Sequence, residues 1–440
     1  MNYYSTNHNT PDVTLALAVT QGLAADRGLF MPERIVPMSE SFFKEIAGMN
    51  FQELSFEVAK HFFGEDIPEY TLQKIVFNTL TFDTPLVSVS KDIYSLELFH
   101  GPTAAFKDVG ARFMARLLSH FLGKEKKMVH VLVATSGDTG SAVANGFLGV
   151  PGIKVHVLYP KGKVSEIQEM QFTTLGQNIT ALEVEGTFDD CQALVKSAFM
   201  DEVLKKQITI TSANSINVAR FLPQAFYYFN AWAKLEDKSR KVVFSVPSGN
   251  FGNLTAGLFA KKMGLPVHQF IAANNLNDIV FQYLKTGVYA PRPSVSTIAN
   301  AMDVGDPSNF ARILELYNND HSAIAADMVG ATYNDEQIRE TLLAVFQKTG
   351  YLLDPHGAVG YRALQELLSD GETGIFLETA HPAKFTDTVE PIVGKGNVPM
   401  PQKLQNFMKG TKQTTQLSSD YSASPSCPAR PRPPINAKCA

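Results

Sequence analysis

Tryptophan occurs once and cysteine three times in 440 residues. Cys191, Cys427 and Cys439 are too few and too scattered for a disulfide framework or a zinc site. That excludes the small disulfide-stapled class, predicts no metal centre, and fits a reducing compartment, the cytoplasm. Basic residues are not in excess: the net charge of −4 argues against nucleic acid as a partner. No apolar run reaches the length of a bilayer crossing, so no membrane partner is expected. The start, Met1-Asn2-Tyr3-Tyr4-Ser5-Thr6-Asn7, lacks the basic residues and apolar run of a secretion signal. Nucleotide-binding glycine loops and paired-histidine metalloprotease motifs are also missing. Ser88-Val89-Ser90-Lys91 and Lys348-Thr349-Gly350 imitate a penicillin-binding set. No Ser-Asp-Asn stands between them, and the second fragment closes a helical pattern where the chemistry needs a strand.

What the chain does have is length for two to three domains and 45% hydrophobic residues, enough for a large core. Residues 1–85 read as a small helical N-terminal domain, with Phe51 to Phe63 an amphipathic helix. Val13 to Val19 reads as a short helix or strand, followed by glycine turns and a proline stop at Pro32. From about residue 86 strands alternate with helices. Met128–Ala134, Lys154–Tyr159, Ile179–Val184, Ile208–Thr211, Lys241–Val246, Val267–Ala272 and Gly374–Thr379 are apolar runs of strand length. Between them stand helical patterns, including Ser141–Leu148, Phe188–Met200, Val218 to about Leu235 and Leu254–Lys262. Ser165 with Gln168 predicts a capping box for another helix, and Asn334 with Gln337 a second. Strands buried on both faces and separated by helices predict an α/β protein with a parallel sheet. Sites in such sheets lie in the loops after the strands' carboxyl ends. The body, residues 86–421, is therefore the region expected to carry a site. Residues 422–440, rich in proline and serine, cannot pack a core and are expected to be disordered.

Four stretches carry candidate chemistry. Lys107 follows His100-Gly101-Pro102-Thr103-Ala104-Ala105-Phe106 and opens a helix whose face is Val109, Phe113 and Leu117. Burial and the positive end of a helix dipole both disfavour an ammonium ion, and a partly neutral lysine can form a Schiff base with an aldehyde. The plain alternative is a surface lysine at a helix start. Ser248-Gly249-Asn250-Phe251-Gly252-Asn253 follows a strand and opens a helix, the geometry that binds phosphate through backbone N–H groups; the alternative is a tight turn without a ligand. Thr135-Ser136-Gly137-Asp138-Thr139 offers hydroxyls and N–H groups to an anion, or else caps its helix. Asn214, Ser215 and Arg220 place polar groups and a bidentate fork at a helix start, suited to phosphate or to a salt bridge.

The run His-Gly-Pro-Thr-x-Ala-Phe-Lys-Asp resembles the cofactor-lysine motif of the threonine synthases, pyridoxal-phosphate enzymes of the tryptophan-synthase-beta fold type (fold type II). Gly22-Leu23-Ala24-Ala25-Asp26-Arg27-Gly28-Leu29-Phe30-Met31-Pro32 resembles the N-terminal signature of the same family, with Arg27 where a glycine is usual. The likeness runs from about residue 3 to 421. It implies two α/β lobes with parallel or mixed sheets flanked by helices. It also implies pyridoxal 5'-phosphate bound to Lys107, with the phosphate held by Gly249, Asn250, Phe251 and Asn253 and the pyridine nitrogen facing Thr379. Glu378, next to Thr379, should turn to the other strand face. By the same resemblance Ser136, Asp138 and Thr139 hold the substrate carboxylate, and Asn214, Ser215 and Arg220 the substrate phosphate. The implied reaction converts O-phospho-L-homoserine and water to L-threonine and phosphate, in a monomer or homodimer. A phospholyase giving a keto acid and ammonia, or a non-catalytic relative of the fold, are the alternatives. His100, His356 and His381 are expected to be structural, and Thr297–Gly305 and Pro307–Phe310 resemble the family without an evident chemistry.

Overall fold

The apolar runs assemble into two sheets in the computed structural model, which describes residues 1–123 and 128–421. The expected tail, residues 422–440, lies outside the described residues. One sheet has six strands in the order Met328–Thr332, Gln269–Asn274, Val242–Pro247, Thr373–Glu378, Ile93–Glu97 and Leu86–Ser90. Every pairing in it is parallel except the last, an edge hairpin. The other sheet has five parallel strands: Thr415–Ser418, Ile179–Glu185, Ile153–Pro160, Val129–Ala134 and Thr209–Ser212. Mixed and parallel sheets covered by helices match the expected class.

Alternate residues of each strand serve different cores. Val242, Phe244 and Val246 of one sheet and Val129, Val131 and Val133 of the other enter one shared core. The helices Lys107–Leu122, Ala225–Ala233 and Gly252–Lys262 contribute to that same core. The opposite faces pack on their own helices, Val243 and Ile271 against Val359 and Leu342, and Leu132 and Leu158 against Leu194. Ser245 pairs with Phe376, so Val242–Pro247 and Thr373–Glu378 end level and their loops stand side by side.

Some local expectations change. The N-terminal stretch has its helices, Phe51–Phe63 among them, but also a three-stranded antiparallel sheet of Asn2–Ser5, Val13–Thr14 and Phe30–Pro32. Strands of two to four residues are too short to show a period. Val13–Val19 is both strand and helix, the change falling at the Thr14 cap. The N-terminal apolar residues Tyr3, Leu15 and Phe62 belong to the shared core. The helical run after Asn217 is broken at Leu222–Gln224 into a tighter turn carrying Pro223, which has no N–H to donate. Asn334 and Gln337 form their capping box, whereas Ser165 and Gln168 form half of one. The Ser165 hydroxyl accepts from Gln168 N, but the Gln168 amide is drawn away to Asp138 at 2.7 Å. Arg27 adopts φ 69°, a left-handed conformation that glycine takes freely, which explains the residue usual there. Among the described residues no helix is long and apolar enough to cross a membrane.

Candidate active site

A cavity of about 350 Å³ opens where the strand ends of the two sheets face each other. Lys107, Ser136, Thr139, Asn214, Ser215, Arg220, Gly249, Asn250, Phe251, Asn253 and Thr379 all line it. These residues come from five separate loops. Of the site residues read from the sequence only Asp138 is not in its wall.

Lys107 is the first residue of its helix, as the turn before it predicts. The loop ahead of it is tied by backbone to the strand end that carries Thr379. Ala105 bridges Ala380, Phe106 N donates to Thr379 O at 2.9 Å, and His381 N donates to Ala104 O at 3.1 Å. Ala104 takes φ 56° to allow this. Asp108 closes the loop from behind, accepting from Thr103 N at 2.9 Å and Thr103 Oγ1 at 2.7 Å. Among the described residues nothing hydrogen-bonds the Lys107 amine. Burial pulls that amine down to about 8; the Asp138 carboxylate opposes the shift, and the Lys384 and Arg220 cations reinforce it.

The loop at residues 248–253 is bent at Phe251, φ 61°, and its helix starts at Gly252. Among the described residues the amides of Gly249, Asn250, Phe251 and Gly252 have no protein acceptor. Gly249 lies against the opposite wall, where a Cβ would stand 2.6 Å from Ala301 O. The second loop folds around Thr135, whose Oγ1 accepts from Gly137 N at 2.9 Å and Gly140 N at 2.8 Å. Its helix begins at Asp138, three residues before the expected Ser141. Asp138 points away from the cavity: its carboxylate meets Lys384 Nζ at 2.6 Å and is held down at about 2, burial being outweighed by the cations.

Arg220 is buried, with Nη1 donating to Lys107 O at 3.3 Å and its Nε without a partner among the described residues. Asn214 Nδ2 donates to Ala134 O at 3.0 Å, and the Ser215 hydroxyl accepts from Asn309 Nδ2 at 3.0 Å.

Asn309 and Arg312 were not singled out by the sequence. Asn309 Nδ2 also donates to Asn250 O at 3.0 Å, so one amide links the residue-250 loop to the residue-215 loop. Arg312, fully buried, donates to Ser215 O at 3.0 Å, Ile216 O at 2.5 Å, Phe30 O at 3.2 Å and Asn309 Oδ1 at 2.6 Å. The stretch Pro307–Phe310 is thus a tie between two loops. Asn300, Ala301, Met302, Asp303 and Val304 form a further wall. His356 supports it: a backbone N–H can only donate, so His356 Nε2 accepts from Ala301 N at 3.2 Å and Nδ1 carries the proton toward Asp354. Glu378 is buried on the other strand face, accepting from Asp354 N at 2.5 Å; burial and the Asp354 carboxylate push its carboxyl well above the usual range.

Three family profiles match. "Pyridoxal-phosphate dependent enzyme" spans residues 78–375, "Threonine synthase N terminus" residues 2–80, and "Threonine synthase, C-terminal" residues 357–425. A threonine synthase from Haemophilus influenzae is 46% identical over 422 residues, covering 96% of this chain and 98% of the relative. The chain belongs to the threonine synthase family of pyridoxal-phosphate-dependent enzymes. The crystal structure of threonine synthase from Escherichia coli superposes with a TM-score of 0.90 at 45% identity, covering 96% of this chain and 98% of that one. A pyridoxal-phosphate-bound threonine synthase from Brucella melitensis gives 0.89 at 35% identity, covering 96% and 97%. The residues of the cavity fit such a cofactor: an amine kept partly neutral for its aldehyde, and a cradle of unpaired amides for its phosphate.

Proposed function

We propose that the chain is a threonine synthase in activity as well as family, converting O-phospho-L-homoserine and water to L-threonine and phosphate in the cytoplasm. What carries this reading is that one cavity holds Lys107 together with two separate anion-binding elements, the amides at residues 249–252 and the Arg220 guanidinium. A cofactor with one phosphate needs one of them. A phosphorylated substrate needs the other.

In this reading Gly249, Asn250, Phe251 and Asn253 hold the cofactor phosphate, Lys107 its aldehyde carbon, and Thr379 presents a hydroxyl to the ring nitrogen. Bound pyridoxal phosphate supplies an electron sink for a carbanion at the substrate α-carbon. Lys107, as a free amine, takes the α-proton and later returns one. Ser136 and Thr139, with the amides of the first helical turn, grip the substrate carboxylate. Arg220, pulled down by burial to about 10, stays charged at neutral pH. With Asn214 and Ser215 it orients the leaving phosphate. A β-proton leaves and phosphate departs from the γ-carbon with the bonding electron pair. The γ-carbon then takes up a proton to become a methyl group, and water adds its hydroxyl at the β-carbon, its own proton leaving with the phosphate.

Incubation with O-phospho-L-homoserine, with threonine, phosphate and keto acid assayed together, tests this. Threonine and phosphate are expected in equal amounts. Phosphate accompanied by keto acid and ammonia would assign a phospholyase instead.

A further inference from the structure

One buried ammonium group touches two of the loops around Lys107. Lys384, in the short helical turn Pro382–Phe385, has a side chain with 0% exposure. Its Nζ meets Asp138 Oδ1 at 2.6 Å and donates to Thr103 O at 2.9 Å. Gln168 and Gln171 complete the cluster, donating to Asp138 Oδ1 at 2.7 Å and to Thr103 O at 2.8 Å. Gln168 reaches Asp138 because Gly137, at φ 144°, leaves the space; a Cβ there would lie 2.4 Å from the Gln168 side chain. Asp138 is the carboxylate that acts on Lys107 from the neighbouring helix, yet it accepts its hydrogen bonds from Lys384 and Gln168. The remaining charged groups around this cluster are Arg220, Asp108 behind the loop, and Lys403, which donates to Gly101 O at 2.8 Å and faces Asp108 and Lys384.

We propose that Lys384 is a positioning residue: by holding the Asp138 carboxylate and the Thr103 carbonyl with one ammonium, it withholds that carboxylate from Lys107, which stays without an ion partner. Without Lys384, the Asp138 carboxylate keeps only the neutral Gln168 amide and can turn toward Lys107 to pair with it. The amine would then be held as an ammonium ion. The pair Asp138–Lys384 is therefore a spacer of charge as well as a rivet between loops. This rests on reading Lys107 as the amine that carries the cofactor.

The test needs no bound cofactor. The full chain, freed of cofactor, is treated with acetic anhydride at a series of pH values, and acetylation of Lys107 is followed by mass spectrometry. An amine reacts as its neutral form, so the midpoint reports its proton affinity; the unsubstituted chain is expected near pH 8. Lys384→Met should raise the midpoint by about one pH unit or more, the size of a nearby uncompensated charge. Lys384→Arg, which keeps the charge, should leave it within about 0.3 unit, well under the effect of a lost charge. Asp138→Asn should lower it. A purely structural rivet would lower the melting temperature in all three without moving the midpoint in opposite directions. An unmoved or lowered midpoint in folded Lys384→Met overturns the proposal. Should that variant not fold, Asp138→Asn decides, and an unmoved or raised midpoint there overturns it. Failure of the cofactor reading is seen separately, as visible absorbance that survives Lys107→Ala.

Discussion

The same backbone conformation appears in two settings in this chain. Ala104, in the loop ahead of Lys107, and Phe251, in the cavity wall, have φ of 56° and 61°; Arg27, in the N-terminal turn, has φ 69°. Each departs from what a side chain prefers, at about 1–2 kcal/mol. Around Ala104 and Phe251 the surroundings over-determine the bend. Ala104 is buried and bonded through both N and O, to Gly101 and His381, and Phe251 is buried and its carbonyl accepts from Thr255. Arg27 is exposed and held by one turn bond, to Ala24 O at 2.9 Å. Near the cavity, strain aims a lysine and opens an amide cradle. In the turn it aims nothing, and is merely tolerated.

Substitutions on both sides can break this contrast. The largest effect belongs to the residue that the Ala104 bend delivers: Lys107→Ala should reduce turnover on the order of 10³-fold or more and remove the visible absorbance of the bound cofactor. Activity within tenfold of the unsubstituted chain would remove Lys107 from the chemistry. Arg220→Ala takes away charged hydrogen bonds and should raise KM for the phosphorylated substrate about 10–100-fold, read from initial rates. An unchanged KM would clear Arg220 of contact with substrate. Gly249→Ala puts a methyl group against Ala301 O beside the Phe251 bend and should weaken cofactor binding about tenfold in a fluorescence titration. Ala104→Gly relaxes the bend and should leave unfolding free energy within about 1 kcal/mol, while kcat falls a few-fold because the loop ahead of Lys107 loosens. Arg27→Gly is the mirror experiment. It should raise stability by less than about 1 kcal/mol in a denaturant titration and leave kcat as it was. If Ala104→Gly and Arg27→Gly behaved alike, strain at the cavity would have no bearing on function.

Uniformly apolar runs located seven of the eleven strands of the two sheets, because strands buried on both faces are apolar throughout, and strand ends locate loops. Hence Lys107, the residue-249 loop and Arg220 converge on one cavity as their loops foretold. Leu86–Ser90, Ile93–Glu97, Met328–Thr332 and Thr415–Ser418, three of them at sheet edges, mix polar with apolar residues and gave no such run. The misplacement of Asp138 has a definite origin. Nothing near it in the chain says that Lys384, brought in from the far end of another strand, takes its carboxylate. The same distance in sequence hid Asn309 and Arg312, whose roles consist of contacts with residues 215, 250 and 30. His356 was expected to be structural, and its two ring nitrogens are indeed spent on Asp354 and Ala301. The short N-terminal strands offered no period to read.

The bridge from Ala105 to Ala380 has one more consequence. Lys107 and Thr379 belong to different halves of the sequence, yet they hang from adjoining rungs of one main-chain ladder. Their spacing is inherited from peptide geometry and not from rotamers. When one sheet tilts against the other, the two should travel as a single jaw, and only the opposing loops would change their reach.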